Sequence, residues 1–332
     1  MKILVTGGAG YIGSHVVRML RKEKHSILAY DNMSNGREDR VLPRELVIAD
    51  LADVSYLTET FAEFHPDVVM HFASSISVPE SVRLPITYYR NNVANTVNLL
   101  EVMQRFEVNK MIFSSSASVY GAYDRPVRED DACSPEHPYG ASKSIIERML
   151  SDLSHAEDFR FVALRYFNAA GADPSGLIGQ STKSPTHIIE CALRTASGDL
   201  PELSIYGTDY PTPDGTCVRD YVHVNDIADA HILALEYLWR GGKSEVFNVG
   251  YGHGNSVREV VDMAHKVTGI DFTVIEAQRR DGDYPYLVAD SRKIKDVLGW
   301  NPKYDSLETI IKTAWDWTRK ESERKNHGTI SR

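Results

Sequence analysis

Cysteine is scarce in this chain, with 3 in 332 residues. Cys133, Cys191 and Cys217 are odd in number, far apart in the sequence and without the short spacing of metal ligands. Such a set does not form the framework of a disulfide-rich secreted domain or a zinc site. We therefore expect three reduced core residues of a cytosolic protein, and no metal.

Long apolar runs and an excess of positive charge are also missing. No run approaches the roughly 20 residues of a membrane span, and Met1 leads into a short strand without a charged-then-apolar leader. We expect a cytoplasmic protein with no membrane contact. Lys and Arg number 37 against 46 Asp and Glu, a formal charge of -9. This charge argues against a nucleic-acid surface, so local arginines would have to meet any anionic ligand.

Apolar strands alternate with helical patterns along the first half of the chain. The length and the 42% hydrophobic content allow a large core in two domains. Near-continuous apolar runs, as expected of parallel strands covered on both faces, occur at 1–6, 26–30, 46–49, 68–72, 110–113 and 161–164. This alternation predicts an α/β fold with a doubly wound parallel (Rossmann) sheet. Ligands of such sheets bind beyond the carboxyl ends of the strands.

A glycine-rich turn follows the first predicted strand. Gly7, Gly10 and Gly13 precede a helical pattern that reaches Leu20. Glycines in this context let the backbone approach a pyrophosphate, whose charge the helix N-terminus favours. The second strand ends at Asp31, where the fingerprint expects a carboxylate for a ribose hydroxyl. That carboxylate would repel the extra phosphate of NADP, so the pattern favours NAD.

Tyr139 and Lys143 form a candidate catalytic pair. If 139–152 is a helix, positions i and i+4 lie on one face, with the ammonium below the ring. A tyrosine is a poor base at neutral pH unless a fixed cation favours the phenolate. With that cation, Tyr139 could take a proton from a hydroxyl while a hydride leaves the same carbon. The serine run that ends at Ser116 is expected at the same edge of the sheet.

Six further segments extend the pattern: 113–121, 139–143, 164–168, 206–211, 214–224 and 279–283. With the glycine turn they resemble the UDP-glucose 4-epimerases of the extended short-chain dehydrogenase/reductase superfamily, along almost the whole chain. The resemblance implies interconversion of UDP-glucose and UDP-galactose with no net redox change. Tyr139, helped by Ser116, would take the C4 hydroxyl proton, and Lys143 would hold the nicotinamide ribose and lower the pKa of Tyr139. NAD would stay bound throughout the cycle.

The resemblance also implies which residues contact each ligand. The cofactor would meet Gly7, Gly10, Tyr11, Ile12, Gly13, Asp31, Asn32, Asn35, Asp50, Leu51, Phe72, Ala73, Asn91, Ser116, Tyr139, Lys143, Tyr166 and Phe167. The UDP-sugar would meet Ser116, Tyr139, Asn168, His187, Tyr206, Arg219, Tyr221, Arg280, Asp283 and Leu287. Within this set the two arginines would bind the diphosphate, Asp283 the nucleotide ribose and His187 the uracil region.

Two positions depart from the family pattern. Ile76 stands where many of these epimerases have a lysine that contacts the cofactor, so retention of NAD is open. Leu287 stands where a bulky aromatic or a small residue controls the room beside the sugar C2 substituent. A leucine there could admit an N-acetyl group, so UDP-GlcNAc and UDP-GalNAc are possible further substrates.

The domain plan combines the strand pattern with the resemblance. Residues 1–167 would form the NAD-binding Rossmann domain, completed by about 224–250 because 246–249 looks like one more strand. Residues 168–320 would form a smaller, partly interwoven lobe for the UDP-sugar, and 321–332 a frayed tail. The family commonly dimerises through helices, which makes 87–106 and 140–153 the candidates for a homodimer interface.

Several alternatives stay open at this point. They are a UDP-xylose/arabinose 4-epimerase, a UDP-glucuronate decarboxylase, a sugar-nucleotide 4,6-dehydratase and a non-enzymatic NAD-sensing scaffold. A dehydratase would need an acidic pair after the hydroxyl residue, where this chain has Ala117 and Ser118. The intact Ser116, Tyr139 and Lys143 argue against the scaffold.

Overall fold

The computed structural model describes residues 1–182, 185–280 and 282–329, with side chains as far as Arg324. None of the helices in these ranges has both the length and the apolar character needed to cross a bilayer. In chain order the strands are β1 (Lys2–Thr6), β2 (Ser26–Asp31), β3 (Leu46–Ile48), β4 (Val68–His71), β5 (Lys110–Ser116), β6 (Arg160–Tyr166), β7 (Asn168–Ala170), β8 (Leu203–Tyr206), β9 (Val218–Arg219), β10 (Tyr221–His223), β11 (Glu245–Val249), β12 (Asn255–Ser256), β13 (Val274–Ala277) and β14 (Tyr286–Leu287).

The α-helices are α1 (Tyr11–Lys22), α2 (Val54–Phe64), α3 (Val78–Arg83), α4 (Pro85–Tyr88), α5 (Asn95–Arg105), α6 (Pro138–Ala156), α7 (Ile188–Ala196), α8 (Val224–Trp239), α9 (Val257–Thr268), α10 (Arg292–Leu298) and α11 (Leu307–Thr329). Short 3-10 turns cover Glu38–Arg40, Pro43–Glu45 and Ala117–Val119, and a π-helical segment, Tyr89–Ala94, joins α4 to α5.

Seven parallel strands form the central sheet in the order β11-β6-β5-β4-β1-β2-β3. Successive side chains of a strand point to opposite faces. In β1, Ile3 and Val5 therefore join the core shared with α1 and α8, whereas Leu4 joins the core shared with α2, α5 and α6. Helices on both faces confirm the doubly wound parallel fold. From β1 the chain adds β2 and β3 toward one edge, and from β4 it adds β5 and β6 toward the other. Sheets of this kind bind ligands at the point between β1 and β4 where the direction changes.

The second half of the chain builds a smaller set of strands beside this sheet. β10 pairs with β7, β9 lies between β12 and β14, and β13 pairs with β8. Between these pieces the chain returns to the large sheet, because β11 pairs with β6 through Phe247 opposite Leu164. The division into functional domains stays a prediction, but the two halves are interwoven in space.

Two expectations from the sequence are wrong. Residues 321–329, expected as a frayed tail, continue helix α11, whose Glu321 pairs with Arg37 at 2.5 Å; residues 330–332 lie outside the described residues. Cys133 is exposed rather than part of the core. All three cysteines are free thiols, as expected.

Candidate active site

One cavity of about 550 Å³ opens at the carboxyl ends of the parallel strands. Every residue that the sequence assigned to the cofactor or the sugar nucleotide lines it, from Gly7 in the first turn to Leu287 in β14. Ile76, the first departure from the family pattern, lines it as well. The structure thus brings the whole predicted set together, while the role of each residue stays a prediction.

The glycine-rich turn forms a tight cradle at the wall of this cavity. Gly7 has a φ of 70°, and a Cβ on it would lie 2.6 Å from the backbone nitrogen of Ala73. A Cβ on Gly13 would collide with the carbonyl oxygen of Gly7. Gly10, in an extended conformation, precedes α1 and has no side chain to cap its first turn. The helix N-terminus is therefore left to a ligand, as a dinucleotide pyrophosphate requires.

Asp31 is fixed beside that cradle. Its Oδ2 accepts a hydrogen bond from the Ala9 backbone N–H at 3.0 Å, and its Oδ1 accepts one from Met33 at 2.9 Å. Burial raises the pKa of this carboxyl, and the two backbone hydrogen bonds and the charge of Arg40 oppose the rise. The carboxylate lines the cavity at the end of β2. This placement fits a ribose hydroxyl and disfavours a phosphate in the same position.

A second carboxylate shapes the neighbouring wall after β3. Asp50 Oδ2 accepts a hydrogen bond from the Asn32 amide at 2.7 Å, and Oδ1 accepts one from the Ala52 backbone at 2.8 Å. Leu51 follows as a buried apolar residue of the same wall. Polar and apolar surface therefore meet here, which suits one end of a nucleotide.

Helix α6 places Tyr139 and Lys143 one turn apart. The helix begins at Pro138, and the Nδ1 atom of His137 accepts a hydrogen bond from the Gly140 N–H at 3.1 Å as its cap. Lys143 Nζ lies 5.8 Å from the centre of the Tyr139 ring and donates to the carbonyl oxygen of Ser114 at 2.8 Å. The ammonium is therefore held below the ring by the end of β5.

Burial dominates the electrostatics of this pair. It raises the pKa of Tyr139, and the hydrogen bond with Ser116 lowers it. It also lowers the pKa of Lys143 to about 7, against the opposing influence of Glu147. In the protein without its ligands, the expected cation thus loses its proton near neutrality. The expectation that Lys143 lowers the pKa of Tyr139 is therefore not met in this state: burial raises that pKa, and Ser116 opposes the rise.

Sequence reasoning missed the support behind the pair. Glu147, one turn beyond Lys143, is buried and pairs with Arg165 of β6 at 2.6 Å. The Ser115 hydroxyl donates to the same carboxylate, and Tyr166 is hydrogen bonded to Ser114. The i+4 spacing from Lys143 to Glu147 was the only signal available in the sequence, since the Arg165 contact depends on the sheet.

The side of the cavity formed by the second half of the chain carries two arginines. Arg219 donates from Nη1 to the carbonyl oxygen of Tyr284 at 2.6 Å, and its Nη2 lies 3.3 Å from Asp283 Oδ1. The Arg280 guanidinium stacks 3.6 Å from the centre of the Tyr206 ring and lowers the pKa of Tyr206. Two planar donors therefore face one cavity, as diphosphate binding requires. Asp281, within the predicted segment, lies outside the described residues.

The remaining predicted substrate residues surround these arginines. Asn168 begins β7, and its backbone N–H donates to the Asp220 carbonyl at 2.9 Å. Leu287 and Tyr221 are buried side chains of the lining, and His187 precedes α7 with a pKa lowered by burial. Cys191 and Cys217 line the cavity too, a placement that their isolated positions in the sequence did not indicate.

Comparisons with known proteins agree with this geometry. The model of the NAD dependent epimerase/dehydratase family matches residues 3–250. The chain is similar to a UDP-glucose 4-epimerase of Azospirillum brasilense, with 49% identity over 320 residues that cover 96% of this chain and 92% of the relative.

Two solved structures show the same fold. A UDP-glucose 4-epimerase from Brucella ovis in complex with NAD superposes with a TM-score of 0.91 and 44% identity, covering 95% of this chain and 97% of that one. A UDP-Glc/GlcNAc 4-epimerase from Campylobacter jejuni gives a TM-score of 0.84 and 44% identity, covering 96% and 99%. The resemblance read from the motifs is confirmed: the chain belongs to the NAD dependent epimerase/dehydratase family.

Proposed function

We propose that this protein interconverts UDP-glucose and UDP-galactose by epimerisation at C4. The observation that carries the proposal is one cavity lined by a glycine cradle with Asp31, by the Tyr139–Lys143 pair and by two arginines. NAD, when bound, supplies a hydride acceptor and donor for the sugar C4. An NAD-dependent oxidation followed by reduction on the opposite face leaves no net redox change.

The chain's own groups handle the proton. The Tyr139 phenolate takes the C4 hydroxyl proton as the hydride leaves C4, and the Tyr139 hydroxyl so formed returns the proton on reduction. The hydrogen bond of Ser116 to Tyr139 lowers the pKa of Tyr139 and orients the side chain. Lys143, held by the Ser114 carbonyl, offers its charge to the phenolate and its N–H groups to the nicotinamide ribose. A positioned general base of this kind contributes roughly 10²–10⁴-fold to a rate.

Arg219 and Arg280 bind the diphosphate in this proposal. Arg219 is preset by the Tyr284 carbonyl and by Asp283, so binding of the nucleotide would exchange part of the Asp283 contact for phosphate. Asp283 would then be free to accept a hydrogen bond from the nucleotide ribose. Asn168 would contact the sugar nucleotide, and His187 the uracil region.

Sugar selectivity depends on Leu287. Its buried side chain lines the cavity and is shorter than an aromatic residue. We propose measurable activity on UDP-GlcNAc and UDP-GalNAc beside the main pair. The similarity to a UDP-Glc/GlcNAc 4-epimerase supports this extension.

The direct test is incubation of the purified protein with UDP-galactose, UDP-xylose and UDP-glucuronate in separate reactions, followed by separation of the products. Formation of UDP-glucose at equilibrium supports the proposal. Loss of carbon dioxide from UDP-glucuronate, or a 4-keto-6-deoxy product from a UDP-hexose, would replace it with decarboxylation or elimination. Elimination is disfavoured because Ala117 and Ser118 line the cavity where a dehydratase would need carboxylates.

We also propose a cytoplasmic homodimer. The two candidate helical stretches expose apolar side chains, Val97 in α5 and Ile145 in α6. Paired helices of two copies would bury them. Sedimentation velocity of the native protein and of Val97→Glu tests this: a dimer that dissociates in the variant supports the proposal, and a native monomer contradicts it.

A further inference from the structure

The turns of α11 that carry Trp317 and Glu321 contact a segment of the cavity wall, 179–182. The Trp317 indole N–H donates to the Gln180 carbonyl at 2.8 Å, and Glu321 Oε2 accepts a hydrogen bond from the Ser181 hydroxyl at 2.8 Å. Gln180 and Thr182 line the cavity. Helix α11 therefore holds this part of the wall in place although neither Trp317 nor Glu321 lines the cavity.

The same carboxylate oxygen reaches a second segment of the wall. Arg37 Nη1 lies 2.5 Å from Glu321 Oε2. The backbone N–H of Arg37 donates to the carbonyl oxygen of Ala9, inside the glycine-rich turn, at 3.1 Å. Asn35 and Gly36, which precede Arg37, line the cavity near Asp31. Glu321 Oε2 thus bridges the loop after β2 and the segment 179–182.

Burial makes this bridge stronger than an ordinary surface ion pair. The Glu321 side chain is 13% exposed and the Arg37 side chain 31%. Exposed pairs contribute little because water screens them, whereas shielded charge-assisted hydrogen bonds are short and strong. The pKa of Arg37 is raised by Asp39 and by Glu321, so the guanidinium stays charged.

Two further contacts fix the same segment. Arg40, which is 6% exposed, donates from Nη2 to the Gly179 carbonyl at 2.8 Å. A Cβ at Gly179 would collide with the Trp317 ring, so the backbone there lies directly against α11. We name Arg37, Arg40, Trp317, Glu321 and the segment 179–182 the C-terminal clamp.

We propose that the C-terminal clamp sets how long NAD stays bound, with Glu321 as a positioning residue that ties together two walls of the cofactor cavity. In this proposal NAD is released through a movement of one wall, which the Glu321 bridge opposes. The inference concerns retention of the cofactor rather than the epimerisation itself. It gives a physical source of retention at a site where Ile76 stands in place of the expected lysine contact.

The experiment measures first-order release of NAD+ from the purified, cofactor-loaded protein, with no sugar present, after dilution into a trap that consumes free NAD+. Glu321→Gln keeps the shape of the side chain and removes its charge. We expect release about tenfold faster, as loss of hydrogen bonds to a charged group implies. The cofactor-free variant should melt well above the assay temperature, so that release is measured from folded protein.

Glu308→Gln is the matched control. It removes a carboxylate from the first turn of the same helix, where Glu308 pairs with Lys266 at 2.9 Å with both side chains exposed. This control should release NAD+ at the native rate. An Arg37→Gln/Glu321→Gln double variant should release NAD+ no faster than the faster of the two single variants, because both substitutions break the same bridge.

Release from Glu321→Gln at the native rate, or equal acceleration by Glu308→Gln, overturns the proposal. If Glu321→Gln does not fold, Ser181→Ala removes only the hydroxyl arm of the bridge, and native release from that variant overturns it instead. These outcomes are independent of the proposed activity. The rate of NAD+ release can be measured even for a protein that shows no 4-epimerase turnover.

Discussion

Lys143→Met should change the pH dependence of stability in a defined direction. The side chain is 2% exposed, and its pKa falls from 10.5 in a solvated chain to about 7 in the folded protein. Between these values the unfolded chain binds the Lys143 proton and the folded chain does not. The free energy of unfolding of the native protein therefore gains a rising contribution as pH increases through this window. Methionine keeps the apolar stem and removes the titration.

The size of the effect follows from the two pKa values. Between pH 7 and pH 9.5, a single group with these two pKa values raises the free energy of unfolding by about 3 kcal/mol. The native free energy of unfolding, minus that of Lys143→Met, should rise by about that amount over the interval. Other titrating groups are common to both proteins and cancel from the difference.

Urea unfolding of cofactor-free protein at pH 7 and pH 9.5 supplies the measurement. Lys312→Met is the control, because Lys312 is 66% exposed and pairs with Asp316 in the neighbouring turn of α11. If the free energy of unfolding changed equally between pH 7 and pH 9.5 in the native protein and in Lys143→Met, a buried lysine with a depressed pKa would be refuted. They would also remove the physical basis for Lys143 as a proton-sensitive partner of Tyr139.

Three further predictions concern turnover and cofactor choice. Tyr139→Phe should lower kcat by roughly 10²–10⁴-fold while NAD content and UDP binding persist, and near-native turnover would exclude Tyr139 as the base. Denatured protein should release NAD(H) rather than NADP(H), because the carboxylate that we assign to the ribose, Asp31, would repel a phosphate there; recovery of NADP(H) on a chromatogram would contradict this assignment. Leu287→Tyr should lower kcat/KM for UDP-GalNAc relative to UDP-galactose by about 10–200-fold, the range for steric discrimination of small groups, and an unchanged ratio would show that Leu287 does not gate the sugar.

Local patterns in the sequence predicted most of the cavity wall that the first half of the chain forms. The strand that ends at Asp31, the glycines that permit close backbone approach and the four-residue spacing of Tyr139 and Lys143 are all short-range signals. Strand ends differed by a few residues, as in β5, which continues through Ser116. The doubly wound, parallel character of the sheet then followed from general rules of α/β folds.

Long-range contacts could not be predicted in the same way. The Tyr11 hydroxyl donates to the carbonyl of Gly171 at 2.6 Å, across 160 residues of sequence. Arg165 meets Glu147 only because β6 and α6 are packed together. The depressed pKa of Lys143 likewise depends on burial, which the residue pattern does not give. The sequence indicated a cation; the structure indicates one that titrates near neutrality.

In the proposed reaction, the hydrogen at C4 leaves and returns within one active site. Turnover of UDP-galactose carrying deuterium at C4, in ordinary water and without added cofactor, tests it most directly. We expect UDP-glucose that retains the deuterium at C4, with none in the solvent. Loss of the label to water, or a requirement for stoichiometric added NADH, would contradict it.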